Sequence, residues 1–456
     1  MFDVERLKAI VGDDWVVTDR GQMERYLVDE TYTGLVMKAA EHVVVVKPAN
    51  AEEVSRIMRL ANEESFVVYP RGGGTGVCAG SIPTRDGVVL SLERLDKVLE
   101  VDKENLMVVA EAGVTLGQLL QAVESEDLLF PPHPGDEGAQ LGGLVACNAG
   151  GTRAVKYGVV RNYVKGLEVV LPTGEIVSMG GKLLKNNTGL DLMHLLIDSE
   201  GILGIITKVT LRLYPKFAGP ATLVVSFDER HAAIRSVPRI LQSGVIPMAI
   251  EYVDRDLMED TARYLGTTWP VTKGKSHLIV IVTGTDDDDV YDQCQKVAEI
   301  CEKNGAVDTL IAESREEQAH ILHIRSEESM TYKAQLAEIL DVTVPPAAVG
   351  DMMDTVDKLA AEYHTRIPMV AHAGDGNFHP HLMLELKERG LSREVKKKIY
   401  ARAVELGGVI SGEHGIGKTR LAELDMCIDP KSMELMRGLK RLFDPNGVLS
   451  PDSAIK

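Results

Sequence analysis

A run of glycines between two strands restricts the fold more than any other feature of this chain. Residues 70–76 read PRGGGTG and follow a predicted β-α-β unit with strands at 42–47 and 66–69. Three adjacent glycines have no side chains to pack, so their N–H groups can approach a phosphate closely; a flexible connection is the alternative. The next segment, GVVLSL, is a predicted strand, whereas a dinucleotide-binding fold would begin a helix there. We therefore predict a glycine loop between strands.

Two more glycine-rich segments follow, and both are predicted turns. They are GGLVACNAGG at 142–151 and EGILGII at 200–206, and the strands LEVVLPTG and EIVSM lie between them. Three such segments within about 140 residues, each next to strands, indicate one long ligand that lies along loops. A nucleotide with two ends would fit this arrangement.

The glycine density falls after Tyr214-Pro215, and the pattern changes to strands and helices of moderate length. We predict strands at 221–227 and 276–284 and a helix at 289–304. This pattern is typical of an α+β domain with an antiparallel sheet. We place the domains at 1–217, 218–420 and 421–456, the last a segment that packs back on the first.

Composition excludes several classes of protein. The 456 residues include 68 acidic and 50 basic side chains, a net charge of −18, which repels nucleic acid and anionic membranes. No apolar run approaches the roughly 20 residues that span a bilayer, and the N-terminus reads as an acidic amphipathic helix. The five cysteines form no C-x-x-C pair, which argues against iron–sulfur and zinc sites and fits a reducing compartment. We expect a cytoplasmic protein without a transmembrane segment.

A histidine cluster at 372–381, HAGDGNFHPH, is a candidate for half of a metal site. The glycines let the chain turn, so that His372 can approach His379, and Glu413 could supply a further ligand. Imidazole and carboxylate groups in this arrangement bind divalent metals and can leave a position for a substrate oxygen. Hydrogen-bonded surface histidines are the alternative interpretation.

Residues 412–419, GEHGIGKT, match the phosphate-loop pattern of nucleoside triphosphatases. Only 37 residues follow Thr419, and they contain no apolar strand that ends in Asp. An ATPase core cannot fit in this length, so this function remains a remote alternative. Instead, we interpret Glu413 and His414 as the residues that carry chemistry. The three glycines of this segment would let its backbone pass close to a ligand.

Six motifs together resemble one known family. PRGGGTG, GG-x-x-A-x-NAGG, EGILGIIT, HAGDGNFH, SGEHGIG and FDPNGVLSP occur here in the order seen in the FAD-linked D-2-hydroxyacid dehydrogenases. That group includes D-lactate dehydrogenase, a glycolate oxidase component and D-2-hydroxyglutarate dehydrogenase. The resemblance runs from about residue 40 to the C-terminus.

The resemblance implies a vanillyl-alcohol-oxidase-type (PCMH) FAD-binding domain, followed by an α+β cap domain with an antiparallel sheet. The first glycine loop contains neither His nor Cys, so we predict non-covalent FAD. The residues that would bind FAD are Arg71, Gly72, Gly73, Gly74, Thr75, Gly76, Gly142, Gly143, Asn148, Gly150, Gly151, Gly201, Gly204 and Ile206.

The family pattern also assigns roles in the cap domain. It implies His372, His379 and Glu413 as ligands of zinc, manganese or iron, and His414 as the base that takes the hydroxyl proton. Arg325 resembles the arginine that binds the C1 carboxylate. Relatives that accept a second carboxylate carry a Lys where this chain has Ile339, so we expect lactate or another short monoacid.

The predicted function is therefore oxidation of a D-2-hydroxyacid, D-lactate first, by FAD and a divalent metal. Because the chain has no second redox centre, an electron-transfer flavoprotein is the expected partner. A glycolate or other D-2-hydroxyacid oxidase subunit is the alternative. A flavoprotein subunit that only transfers electrons is a further hypothesis, but it would not need the HAGDGNFH and GEHG pair.

Overall fold

The computed structural model of the chain describes residues 3–35, 37–216, 219–312 and 314–455. The N-terminal part, up to residue 216, contains two main sheets and a short strand pair. Its strands are β1 (Val16–Val17), β2 (Val43–Val46), β3 (Val67–Arg71), β4 (Gly87–Ser91), β5 (Val98–Asp102), β6 (Met107–Glu111), β7 (Leu128–Leu129), β8 (Val164–Val170), β9 (Ile176–Gly180), β10 (Ile205–Arg212) and β11 (Tyr214–Pro215).

Helices cover these sheets. They are α1 (Val4–Val11), α2 (Arg20–Met23), α3 (Ala51–Glu64), α4 (Leu116–Glu124), α5 (Leu141–Ala146), α6 (Ala154–Tyr157) and α7 (Met193–Leu196). The Asn50 side chain caps α3 by accepting the Glu53 amide. The first half of the segment at 142–151, predicted as a turn, lies in α5, where Leu144 and Val145 pack into the core together with Leu141.

The predicted β-α-β opening is part of a four-stranded sheet with the order β1-β2-β4-β3. Strands β2 and β3 both run parallel to β4, which lies between them. The chain reaches β4 through the glycine loop after Arg71, so the loop leaves the carboxyl end of β3, where parallel sheets place ligands. The second sheet is antiparallel, with the order β5-β6-β10-β8-β9.

The C-terminal part, from residue 219, is built on one large antiparallel sheet. Its strands are β12 (Ala221–Phe227), β13 (Ala249–Asp254), β14 (Ser276–Val282), β15 (Ala306–Ala312), β16 (Leu336–Ile339), β17 (Val342–Thr343), β18 (Met369–His372) and β19 (Asn377–Met383). They pair in the order β15-β12-β14-β13-β18-β19-β16, and β17 also pairs with β19. The predicted α+β architecture with an antiparallel sheet is confirmed.

Helices pack on this sheet and complete the chain. They are α8 (Arg230–Gln242), α9 (Arg255–Tyr264), α10 (Asp287–Glu302), α11 (Arg315–Ser326), α12 (Glu328–Tyr332), α13 (Val349–Glu362), α14 (Leu384–Glu388), α15 (Ser392–Glu405) and α16 (Pro430–Phe443). Within the described ranges, no helix combines the length and apolar character needed to cross a bilayer.

The C-terminal residues return to the N-terminal part. Val68 bridges Leu449, and its N–H donates to the Val448 carbonyl at 2.7 Å. Val448 and Leu449 join the buried core of the N-terminal sheets. The predicted boundary between residues 217 and 218 lies outside the described residues, and the three-domain division stays a prediction.

Candidate active site

One large cavity of about 720 Å³ lies between the two parts of the chain. The glycine-rich segments line one end, and a group of histidines and carboxylates lines the other. Every residue predicted to bind FAD except Asn148 is in the lining, and so are the residues predicted for the cap domain. The residues that were given roles in the cap domain and that line the cavity are Arg325, His372, His379, Glu413 and His414.

The glycine end has the shape and polarity of a cofactor cradle. A Cβ added at Gly76 or Gly143 would meet no heavy atom within 4 Å, so these backbones face open space. The side-chain oxygen of Gln140, also in the lining, is buried and has no hydrogen-bond partner. Such a group calls for a partner from a ligand, because a buried polar atom left unpaired is costly. The residues present therefore fit a nucleotide cofactor.

Two residues predicted for cofactor binding have other contacts in the structure. The Arg71 guanidinium donates to the carbonyls of Arg25 and Val28, each at 2.7 Å, and to Ser81 Oγ. Asn148 does not line the cavity, and its side-chain oxygen accepts the Arg161 amide at 3.0 Å. Both side chains therefore fix neighbouring loops, and the cradle is formed by the glycine backbones.

The strand register assembles the histidine end. Glu251 on β13 lies opposite His372 on β18, while β18 pairs with β19 so that His372 faces Asn377 and Val370 faces His379. This register puts Glu251, His372 and His379 on one face, since residues two apart along a strand share a face. The His372 and His379 rings make an edge contact with centroids 5.2 Å apart, as the sequence predicts.

Glu413 lies at the centre of three imidazoles. Its Oε1 is 3.5 Å from Nε2 of His372, 3.3 Å from Nε2 of His379 and 3.6 Å from Nε2 of His414. Ligand atoms about 2.1 Å from one tetrahedral ion are separated by about 3.4 Å. The spacing therefore fits donors that share one divalent cation.

The other ring nitrogens distinguish the three histidines. His372 Nδ1 faces the Glu251 carboxylate at 2.8 Å, and His379 Nδ1 faces the Leu340 carbonyl at 3.3 Å. Both partners only accept, so Nδ1 carries the proton and the Nε2 lone pair is left for a metal. His414 Nδ1 is buried and has no hydrogen-bond partner among the described residues, and the Asp341 carboxylate lies 3.9 Å away. The ring of His414 is therefore held differently from the rings of His372 and His379.

The electrostatics of the cluster favour a cation. Burial would raise the pKa of Glu413, but the hydrogen bonds and charges of His372 and His379 hold it well below its usual range. Burial would lower the pKa of His372, but Glu251 and Glu413 raise it well above its ordinary value. The two carboxylates thus attract positive charge, which a divalent ion could supply. Burial lowers the pKa of His414, so this imidazole is neutral at pH 7.

Asp341 folds the loop that carries Glu413 and His414, and it was not predicted from the sequence. We call residues 411–417 the catalytic loop. Asp341 Oδ2 accepts the Ser411 hydroxyl at 2.7 Å and the amides of Gly412, Glu413 and His414 at 2.8–3.0 Å. The donor atoms that lie within 4.8 Å of one another belong to Asp341, His379, Glu413 and His414, and this set does not include His372. However, both oxygens of Asp341 already accept hydrogen bonds, Oδ2 from the loop and Oδ1 from the Asn377 side-chain amide at 2.9 Å. We assign it to loop geometry rather than to metal binding.

Arg325 and Glu251 form a second buried unit at the same end. Arg325 Nη2 donates to Glu251 Oε2 at 2.6 Å, so one carboxylate orients both this arginine and His372. Arg325 Nε is buried and has no partner. It can therefore donate to an anionic ligand group in the cavity. The sequence analysis also missed Glu251, although an acid between the apolar residues of AIEYV, 249–253, was a usable signal.

The phosphate-loop pattern has a packing explanation. A Cβ at Gly417, whose φ is +50°, would overlap the Cys78 carbonyl. Lys418 Nζ donates to the carbonyls of Ala79 and Gly80 at 3.1 and 2.9 Å and is buried. The motif residues therefore bind the N-terminal part of the chain and present no cationic cradle. This agrees with the rejection of an ATPase.

Comparisons with known proteins agree with this geometry. A family profile described as "FAD linked oxidases, C-terminal domain" matches residues 220–454, and one described as "FAD binding domain" matches residues 43–180. The D-lactate dehydrogenase of Archaeoglobus fulgidus is 41% identical over 95% of this chain and 96% of its own length. The glycolate oxidase subunit GlcD of Bacillus subtilis is 36% identical over 89% and 87%. The solved structure of p-cresol methylhydroxylase has a TM-score of 0.78, 18% identity and coverage of 99% and 96%.

The fold and the profiles define an FAD-linked oxidoreductase with a PCMH-type flavin-binding domain. The chain belongs to the family of FAD-linked D-2-hydroxyacid dehydrogenases.

Proposed function

We propose that this enzyme oxidises a short D-2-hydroxyacid, D-lactate first, to the 2-oxoacid at the histidine end of the cavity. The observation that carries the proposal is the grouping of His372, His379, Glu413 and His414 around one point, beside an arginine with an unpaired N–H. The cofactor cradle opens into the same cavity. The 41% identity of this chain to the D-lactate dehydrogenase of Archaeoglobus fulgidus supports a 2-hydroxyacid substrate.

Two bound groups would supply chemistry that side chains lack. The glycine segments would hold FAD non-covalently, and FAD would supply a hydride acceptor. His372, His379 and Glu413 would hold a divalent ion, which would supply a Lewis acid for the substrate hydroxyl. Zinc, manganese and iron all suit two imidazoles and one carboxylate.

The chain's own residues bind the acid and move its proton. The Arg325 Nε–H donates to the C1 carboxylate, while Glu251 holds the guanidinium in place. His414, neutral because burial lowers its pKa, accepts the hydroxyl proton as general base. Asp341 fixes the catalytic loop so that Glu413 and His414 point into one site.

The cavity wall favours a small apolar substituent on the hydroxyacid. Of the described residues from 219 onward, Arg325 is the only Arg or Lys in the lining. Ile339, where some relatives carry Lys, lines the cavity and is 4% exposed. Arg71 and Arg153 also line the cavity, but they belong to the N-terminal part, and Arg71 already donates to two carbonyls. A second carboxylate placed against the apolar Ile339 would lose its hydration, which is unfavourable. The neighbouring apolar lining residues are Met248, Ile281, Leu322 and Val370.

Steady-state oxidation with an artificial electron acceptor tests this selectivity. We expect kcat/KM for D-lactate to exceed that for D-2-hydroxyglutarate by at least about 100-fold, since an unpaired buried charge costs several kcal/mol. Glycolate should be oxidised more slowly than D-lactate, and L-lactate should be inactive. A preference for D-2-hydroxyglutarate would contradict the monoacid assignment, and glycolate as the best substrate would favour the glycolate oxidase alternative.

An electron-transfer flavoprotein is the proposed acceptor. The five cysteines are free, and the chain carries a net charge of −18, which suits a protein partner with a complementary surface. The free thiols also support a reducing, cytoplasmic location. We expect the electron-transfer rate to fall as salt increases, because screening weakens charge-guided docking. Rapid D-lactate oxidation with a quinone alone, unaffected by added electron-transfer flavoprotein, would refute this partner.

A further inference from the structure

Glu200 connects the cofactor cradle to the catalytic loop. Its Oε1 accepts the Ile416 amide and its Oε2 accepts the Gly417 amide, both at 2.7 Å. The Glu200 N–H itself donates to the Ala146 carbonyl at 2.8 Å, at the end of helix α5. One residue therefore contacts both the helix that lines the cradle and the loop that bears the proposed base.

The two halves of the catalytic loop are held from opposite sides. Asp341, from the C-terminal part, binds the amides of Gly412, Glu413 and His414. Glu200, from the N-terminal part, binds the next two amides after Gly415. Asp341 fixes the loop within its own part. The position of His414 relative to the cradle therefore depends on the contacts that the N-terminal part makes, which are those of Glu200 and the weaker ones of the Cys78 thiol with the His414 and Gly415 carbonyls at 3.3 and 3.4 Å.

The backbone around Glu200 restricts the geometry of its contact with the catalytic loop. Glu200 has a left-handed conformation with φ +48°, which is uncommon for a residue other than glycine. A Cβ at Gly415 would lie 3.0 Å from Glu200 Oε1, so the loop passes directly over the carboxylate. Residues keep such conformations where the surrounding structure holds them.

We propose that Glu200 is a positioning residue of the reaction, which sets the distance between His414 and the flavin-binding cradle through the amides of Ile416 and Gly417. The inference rests on the proposed function. Other contacts, such as those of Lys418 with Ala79 and Gly80, keep the two parts together without it. Loss of the carboxylate should therefore shift the loop and leave the fold intact.

Glu200→Gln tests the proposal in the FAD- and metal-loaded protein. The Gln oxygen can accept one amide, but its NH2 group faces the other amide donor. We expect the limiting rate of flavin reduction by D-lactate to fall about 10- to 100-fold, because small displacements of catalytic groups have effects of this size. The D-lactate concentration at half-saturation should change less than about 3-fold, and hydrogen exchange of the 411–417 amides should speed up about 10-fold or more.

Asp198→Asn is the matched control. Asp198 lies two residues away with φ +68°, but its carboxylate pairs with Arg161 at 2.9 Å and not with the loop. This variant should match wild type in both measurements, and both variants should retain FAD by their visible spectra.

Unchanged exchange in Glu200→Gln, or faster exchange with an unchanged reduction rate, would overturn the positioning role. If no 2-hydroxyacid reduces the wild-type flavin, the proposed function fails, and Glu200 then has no reaction to position. The exchange rates report separately on the anchor, so the two failures are distinguishable.

Discussion

Glu413→Gln is expected to abolish D-lactate oxidation, with a loss of more than about 100-fold, because even residues that only support metal ligands contribute 10- to 100-fold. Gln retains the size of Glu413 but removes the charge that lies within 3.3–3.6 Å of three imidazoles. His372→Ala should have a similar effect, since it removes a ligand and leaves Glu251 with Arg325 as its remaining partner. Turnover and bound metal, measured together, should fall together.

The visible flavin spectrum and a surface variant are the controls for this prediction. FAD should remain bound, because the glycine segments that would hold it belong to the N-terminal part of the chain, whereas Glu413 belongs to the C-terminal part. Glu388→Gln, an exposed position at the end of α14, should keep full activity and full metal content. Full activity in Glu413→Gln, or metal retained at the wild-type level, would contradict the ligand assignment.

His414→Asn should slow flavin reduction by about 10² to 10⁴, the usual contribution of a general base, while substrate binding persists. The imidazole is suited to this role because burial lowers its pKa and keeps it neutral at pH 7. Its Nδ1 has no partner that would fix it as a ligand-type histidine. Single-turnover reduction, measured over a range of D-lactate concentrations, separates the rate from binding.

Metal content decides between the two roles open to His414. Its Nε2 lies 3.6 Å from Glu413, so a ligand role would appear as loss of metal in His414→Asn. We expect the metal to remain. His364→Asn is a suitable control, because His364 is exposed and its φ of +50° is one that Asn tolerates. A normal reduction rate in His414→Asn would show that another group takes the proton.

The sequence predicted the parts of the fold that depend on local pattern. The strand at 221–227 and the helix predicted at 289–304, observed as Asp287–Glu302, show clear periodicity in the chain. The segment at 142–151 was predicted as a turn because of its glycines, but burial of Leu144 and Val145 makes its first half part of a helix. Tertiary packing decided that case, and local propensity could not reveal it.

The sequence predicted those site residues that lie together in short motifs. HAGDGNFH and GEHG pointed to His372, His379, Glu413 and His414, which the structure brings together. Asp341 and Glu200 act through backbone amides that are 70 or more residues away along the chain, so no local spacing marks them. The segment GEHGIGKT matched the phosphate-loop pattern although its glycines serve close packing, Gly417 against Cys78, Gly415 against Glu200 and Gly412 against Thr343.

Anaerobic mixing with D-lactate, followed by the flavin absorbance, tests most directly whether flavin and metal act together at this site. We predict bleaching of the flavin in the metal-loaded protein, none after the metal is chelated, and recovery when a divalent metal is restored. L-lactate should leave the spectrum unchanged under all three conditions. Full-rate bleaching by D-lactate in the chelated protein would contradict the metal assignment, and the absence of bleaching with every D-2-hydroxyacid would contradict the account as a whole.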